Sequence, residues 1–243
     1  SATSSLGYLL RQAESSGTVL ISALALLISF FVSVGIALFI SHYAPKKLAT
    51  ALSYVVDLLA AIPSVIYGLW GGLVLVPAIY PFWNWVAKYL GWIPLFAGPA
   101  ANPSRTVATV AVVLAVMILP IITSVSRDIF MQTPRLQEEA AIGLGATKWQ
   151  VVSKIVLPSA FGRIATGIVL AIGRAIGETM AVLMVVGNAP VIPDSIASPI
   201  STLTSQIALD MSYSSGLHRS ALFGMGVVLF IISATLVGIV RLI

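Results

Sequence analysis

Residues 104–128, SRTVATVAVVLAVMILPIITSVSRD, carry charge only at their ends, Arg105 on one side and Arg127 with Asp128 on the other. The apolar run between them matches the roughly 20 helical residues that cross a hydrocarbon core about 30 Å thick. Four further stretches read the same way, near 18–42, 48–80, 158–187 and 217–241. The composition agrees, with 58% of the 243 residues hydrophobic and 9% charged, and a mean hydropathy of +1.04. A soluble chain of this length needs about a quarter of its residues charged. Lipid therefore covers much of this one, and the expected fold is all-α, a polytopic transmembrane bundle of about five helices. Pro63 and Pro120 lie inside the second and third stretches; each removes a backbone hydrogen bond and is expected to kink its helix.

The connections differ in kind. Residues 77–103 and 187–216 are rich in Pro, Gly and aromatics and read as loops, the first with Trp and Tyr suited to a membrane–water interface. Residues 127–158 are the most charged part of the chain, with Arg127, Arg135, Lys148 and Lys154 beside Asp128, Glu138 and Glu139. Assigning connections alternately to two sides puts seven Lys/Arg with the 127–158 loop and four on the other side, Arg11, Lys88, Arg105 and Arg219. The positive-inside rule makes the charged loop cytoplasmic and the N-terminus external. The uncharged stretch from Ser15 to Pro45 is too long for the apolar region of a signal peptide. An external N-terminus beginning with Ser1 leads to the expectation of a further spanning helix ahead of this sequence.

Several classes are excluded or disfavoured. There is no cysteine, hence no thiolate metal site or thiol catalysis. His42 and His218 are far apart and read as interfacial or loop residues, so neither a metal nor another cofactor is expected. The thirteen basic residues form no polybasic run, which removes nucleic acid as a partner. No inverted pair of interrupted helices, of the kind found in many secondary transporters, is visible.

Within the charged loop, Thr133 and Pro134 read as a helix start, the hydroxyl as cap and the proline at the first helical position. Leu136, Ala140 and Leu144 then recur every fourth residue, and Gly143 and Gly145 mark the end. Pattern alone leaves two readings of this short amphipathic helix, lying on the membrane or docking on a partner.

The run EEAAIGLGATKWQVVSKIVLPSA, residues 138–160, resembles the EAA loop of the permease subunits of ATP-binding-cassette importers. Glu139, Ala140 and Ala141 are followed after three residues by Gly145, after nine more by Ile155, and then by Leu157 and Pro158, so every fixed position is met. Pro158 is expected to break the chain before the next span. The resemblance implies the type I importer permease fold, a single transmembrane domain over residues 1–243 whose loop 127–158 carries the coupling helix. It also implies that Glu138, Glu139, Ala140, Ala141 and Gly145 engage an ATPase subunit. No GxxxxGK[ST] sequence occurs in the chain, so the permease is expected to borrow its ATPase and to catalyse nothing itself.

Residues 161–187, FGRIATGIVLAIGRAIGETMAVLMVVG, place Arg174 and Glu178 four apart, neighbours on one face of a continuous helix. If Arg163 lies at the interface, eleven residues of helix put Arg174 about 16 Å further in. An arginine there must face protein or water. Gly173, Gly177 and Ala181 form a small-residue ladder beside the pair, suited to close helix approach. Two readings stand, a pair that neutralises itself to hold helices in register or a contact on the substrate pathway. Asp57 is a second acid in an apolar segment, either lining the exit or linked to a neighbouring helix. Arg163 reads as an interfacial anchor.

The segments AIGRAIGETMAVLMVVGNAPVIP, AAIPSVIYGLWG at 60–71 and IPLFAGPA at 93–100 resemble the PstC-type permeases of phosphate-specific importers. That resemblance covers the chain from about residue 34 to its end. It implies a bacterial cytoplasmic-membrane protein that works with a second, homologous permease, two ATP-binding subunits and an extracytoplasmic phosphate-binding protein. It also implies inorganic phosphate as cargo and the substrate pathway as the place of Arg174 and Glu178. The competing readings are a permease for sulfate or molybdate, a secondary transporter or channel, and a membrane-embedded enzyme.

Overall fold

The computed structural model describes residues 2–90, 92, 105–186 and 202–242, and every regular element among them is helical. Helix α1 spans Ala2–Leu38 and continues into a π-helical turn, Phe39–Tyr43. Helices α2 (Lys46–Ala61) and α3 (Ser64–Trp70) come next, then a π turn at Gly71–Leu75 and α4 (Val76–Leu90). After them stand α5 (Val107–Met131) and the short α6 (Arg135–Gly143). Helix α7 (Lys148–Val151) runs through a third π turn, Val152–Val156, into α8 (Leu157–Gly177). Helices α9 (Met180–Val185), α10 (Leu203–Asp210) and α11 (Gly216–Leu242) come last.

Among the described residues, five helical stretches are long and apolar enough to span: Gly17–Tyr43, Ser64–Tyr89, Val107–Met131, Lys148–Gly177 and Gly216–Thr235. The count agrees with the sequence, but the second and fourth spans differ in extent. The expected span at 48–80 is cut at Ile62 and Pro63, both in extended backbone, so α2 is a separate helix. Pro63 does more than kink. It has no N–H for the carbonyl of Leu59, which accepts instead from the Ile62 N–H at 3.3 Å and from the Tyr67 hydroxyl at 2.8 Å. Pro120, by contrast, is carried inside an unbroken α5. The expected loop at 77–103 is helical as far as Leu90, with Pro81 inside α4, and its remainder lies outside the described residues except Trp92. The expected loop at 187–216 contains α10, while 187–201 lies outside the described residues.

Pro158 does not break the chain, because α7, the π turn and α8 are continuous. All three π turns among the described residues end two residues before a proline: Tyr43 before Pro45, Leu75 before Pro77, Val156 before Pro158. In each, the residue just ahead of the proline bonds five residues back, Ala44 to Phe39, Val76 to Gly71 and Leu157 to Val152. The widened turn eases the clash of the proline ring with the carbonyl four residues earlier.

Helix α5 is the centre of the bundle and packs against α1, α2, α3, α8 and α9. Its Val110, Val113, Leu114, Met117 and Ile118 are buried with Ile21 and Ala25 of α1 and Val182 and Val185 of α9. Lipid tails are as apolar as these side chains, so close packing holds the helices together, and small residues permit it. A Cβ on Gly68 of α3 would fall 2.8 Å from the Ala181 Cα of α9, and one on Gly71 would fall 2.6 Å from Val113 of α5. Gly68→Val should therefore destabilise the protein by about 1–3 kcal/mol. Gly35→Val, where a Cβ meets nothing within 4 Å, should leave the unfolding midpoint in detergent unchanged.

Candidate functional site

The charged residues of the sequence gather at the end of the bundle that carries α6. Arg163 of α8 donates from Nη1 to Gln132 Oε1 at the end of α5, 3.0 Å away. This makes Arg163 an anchor at the α6 end and sets the depth of the rest of α8, with Arg174, eleven residues on, about 16 Å deeper. The expected pairing with Glu178 does not form.

Helix α8 stops at Gly177, and Glu178 is extended at φ −71 and ψ 126. Arg174 and Glu178 therefore do not share one helical face. Arg174 is exposed on the surface of the chain. Among the described residues no carboxylate comes within ion-pair distance of it. The small-residue ladder divides in the same way. A Cβ on Gly173 or Gly177 would meet nothing within 4 Å, whereas Ala181 is packed against Gly68.

Glu178 is 9% exposed and takes the place of a capping side chain for α9. Its Oε1 accepts from the Ala181 N–H at 3.2 Å, and its backbone carbonyl accepts from the Thr204 hydroxyl at 2.9 Å. Around it lies a hydroxyl cluster that the sequence did not reveal. Thr202 Oγ1 accepts from Ser205 N, Ser205 Oγ accepts from Thr202 N, and Leu203 N donates to Thr18 Oγ1 of α1 at 3.1 Å. The reciprocal Thr202–Ser205 cap starts α10, and the S/T-x-x-S spacing of TLTS was its only sequence signal.

Asp57 sits elsewhere. It accepts from the Ser124 hydroxyl at 3.0 Å and lies 3.5 Å from Arg127 Nη2, joining α2 to α5. Arg127 is itself buried and bonded to Asp128, through Nε at 3.0 Å and Nη2 at 2.9 Å. These groups border a cleft of about 660 Å³ at the α6 end, which Lys46, Tyr54 and Arg135 also line. The structure thus gives Asp57 the helix–helix link and also a place on a polar cleft. Sequence reading treated Arg127 and Asp128 as loop charges, whereas α5 carries both.

In the 127–158 loop, α6 starts one residue later than expected. Pro134 holds the cap position and the buried Thr133 hydroxyl finds no partner. Glu138 faces His42 Nε2 at 3.6 Å, and Ala141 packs towards Phe130 and Val151. Glu139 and Ala140 are exposed or partly so, and Leu136 and Leu144 are 77% and 91% exposed. The apolar stripe therefore points away from the chain. Gly145 has φ +89, a conformation that suits glycine alone among common residues at this bend. Thr147 and Gln150 then cap each other to start α7, a T-x-x-Q box legible in the sequence but not read there. Among the described residues no cluster of His, Cys, Asp and Glu could hold a metal ion.

The chain belongs to the family of binding-protein-dependent transport system inner membrane components, whose sequence model matches residues 33–243. Membership makes it a multi-pass protein of the inner membrane and a permease subunit of a transport system. The phosphate transport system permease protein PstC of Pasteurella multocida is 40% identical over 232 residues, 93% of this chain and 72% of that protein. PstC 2 of Mycobacterium tuberculosis is 47% identical over 174 residues, 71% of this chain and 54% of that protein. Among solved structures, the inward-facing MetNI methionine ABC transporter matches with TM-score 0.64 at 20% identity over 96% of this chain and 95% of that one. A bacterial alginate ABC transporter matches with TM-score 0.65 at 19% identity, over 94% and 76%. The fold is that of type I ABC importer permeases.

Because Glu178 acts through an oxygen acceptor, Glu178→Gln should keep the cap and leave the unfolding midpoint in detergent in place. Glu178→Ala should lower stability by about 0.5–2 kcal/mol, the worth of a helix cap.

Proposed function

We propose that this chain is the transmembrane permease subunit of an ATP-binding-cassette importer that carries inorganic phosphate across the cytoplasmic membrane. The substrate rests on kinship with PstC proteins at 40% identity over most of the chain. The pathway rests on Arg174, a guanidinium within the fourth span, three residues before α8 ends, with no acid beside it among the described residues. Such a residue must face water or another protein. Guanidinium offers paired, planar donors matched to phosphate oxygens and stays charged at any working pH. The open faces of Gly173 and Gly177 leave room beside Arg174 for a helix of a second permease.

The resemblance of this loop to the EAA loop of importer permeases assigns the outward apolar stripe of α6 to docking on an ATP-binding subunit rather than on the membrane. Glu139, Ala140 and Gly145 belong to that contact, and Glu138 and Ala141 hold α6 to the bundle. Two ATP-binding subunits and an extracytoplasmic phosphate-binding protein complete the system, with ATP hydrolysed by the partners and not by this chain. Asp57, on the polar cleft at the α6 end, lies on the exit side of the pathway. A sulfate or molybdate permease is disfavoured by the same kinship, and competition by unlabelled sulfate in uptake distinguishes it.

The direct test is Arg174→Gln. No carboxylate among the described residues pairs with Arg174, so the variant should assemble with its partners and unfold at the wild-type midpoint. Uptake of labelled phosphate should fall about 10- to 100-fold, the worth of hydrogen bonds to a charged group. Arg174→Lys should recover only part, since an ammonium lacks the paired geometry. Wild-type uptake by Arg174→Gln removes Arg174 from the pathway.

Sidedness is tested through the absence of native cysteine. Single cysteines at the exposed positions Trp92 and Tyr213 should react with a membrane-impermeant thiol reagent added outside intact cells. One at Gly145 should react only after the membrane is opened. Labelling of Gly145→Cys in intact cells would invert the orientation.

A further inference from the structure

Helix α2 hangs between two stretches of extended backbone, Ala44–Pro45 before it and Ile62–Pro63 after it. It packs chiefly on α5 and on the π turn Phe39–Tyr43, while its Tyr54, Val55 and Leu58 stay uncovered. Its polar tie to α5 is Asp57. The Ser124 hydroxyl donates to Asp57 Oδ1 at 3.0 Å, and Arg127 Nη2 lies 3.5 Å from the same oxygen. Charge-assisted N–H···O bonds close to about 2.7–2.9 Å, so the Arg127 contact is loose. The Asp57 side chain is also half exposed, where an ion pair adds little.

These bonds do not exhaust Arg127. Its side chain is nine-tenths buried, and Nε and Nη2 meet Asp128, but Nη1 is buried with no hydrogen-bond partner among the described residues. An unpaired buried N–H is costly, and an oxyanion that meets it removes the cost. Arg127 lines the cleft of about 660 Å³ with the exposed Lys46 and Arg135, and the acids on that lining are Asp57 and Asp128. Three cations against two carboxylates leave the cleft positive. The start of α2 lies on the same rim, and Pro45 at its cap position gives it no side-chain acceptor. A helix beginning with free amides and a lysine favours an anion beside it.

We infer that this cleft is a second anion station, where hydrogen phosphate on its way out takes the place of Asp57 at Arg127 and frees α2 from α5. The inference rests on phosphate as the cargo and on the α6 end as the exit side. Asp57 reaches Arg127 with one oxygen and is bound to its own helix. Free phosphate has more oxygens and no such tether, so it can meet the Arg127 fork and the charges of Lys46 and Arg135 together. Asp57 is thus a stand-in that occupies the guanidinium between cargo molecules. With Asp57 displaced, the bonds from Ser124 and Arg127 to α2 are both lost, and the prolines at its two ends leave it free to move as a unit. Val56, the buried residue of α2 at 7% exposure, then opens to solvent.

The test uses the complete transporter in phosphatidylcholine nanodiscs without nucleotide, with Val56→Cys as reporter in a chain that has no cysteine of its own. The readout is the rate at which a maleimide alkylates that thiol, in inorganic phosphate against chloride at matched ionic strength. Phosphate should raise the rate about two- to fivefold, the worth of a partly exposed ion pair. Asp57→Ala should show the raised rate in chloride and gain nothing from phosphate. Arg127→Lys, which keeps the charge without the fork, should lose the response, as should Lys46→Gln with Arg135→Gln. If Arg127→Lys fails to assemble, the exposed pair decides. Arg174→Gln should keep the response. Equal rates in phosphate and chloride overturn the inference, as do a slow Asp57→Ala, a full response without Lys46 and Arg135, or a response lost with Arg174. A lipid headgroup carries the same oxyanion, so phosphatidylglycerol discs in chloride form a separate arm, and a raised rate there overturns free phosphate as the occupant. Uptake of labelled phosphate by the wild-type transporter in proteoliposomes is followed alongside. Uptake with a flat alkylation rate fails the cleft alone, and absence of uptake fails phosphate as the cargo and the inference with it.

Discussion

A backbone amide or carbonyl without a hydrogen-bond partner in hydrocarbon costs several kcal/mol, and this protein interrupts two of its helices where that cost applies. Each interruption is made tolerable by a side chain from nearby. At Ile62–Pro63 the Leu59 carbonyl, which proline cannot serve, accepts from the Tyr67 hydroxyl beside the Ile62 N–H. At Glu178–Thr179 the Glu178 carboxylate receives an amide of α9, and Thr204 covers the Glu178 carbonyl. The two repairs are close neighbours through α3 and α9, which meet at Gly68 and Ala181. Arg174, three residues before α8 ends at Gly177, thus lies beside irregular backbone that the chain has satisfied internally. Interrupted helices in membranes occur where protein or a watery cavity covers them, which fits a pathway and not a lipid-facing wall.

Around these breaks α5 provides the rigid reference. It touches α1, α2, α3, α8 and α9, and its polar residues fall where they can serve as joints. Ser124 and Arg127 hold α2 through Asp57, and Gln132 holds α8 through Arg163. Helix α6 is fastened separately to α1 and to the Phe130 region. A push on α6 therefore meets two levers, the first span by way of His42 and the fourth by way of α7 and its π turn.

Much of this was legible in the sequence because hydropathy and loop charge report which residues meet lipid. The five spans, the α6 helix and the bend at Gly145 all emerge from that reading. The misreadings share a cause. Hydropathy does not register where backbone hydrogen bonds end, so the apolar residues either side of Pro63 and of Glu178 read as single helices. Proline alone also misleads, since Pro63 ends a helix, Pro120 and Pro81 ride inside one, and Pro158 sits just past a π turn that absorbs it. The Arg174–Glu178 pair was inferred from a spacing that holds only in an unbroken helix. What replaced it, a carboxylate turned to α9 and hydroxyls from α1 and α10, depends on residues 18, 178 and 204 meeting across the bundle. No local pattern encodes that meeting.

The outward guanidinium also bears on how the cell makes this protein. A chain that reaches the membrane before its neighbours must place Arg174 against lipid tails, at about 2.5–3.5 kcal/mol by insertion scales. The penalty disappears only when another subunit or its water covers the site. An orphan copy is thus marked as incomplete by its own sequence, and synthesis of the subunits in matched numbers is favoured.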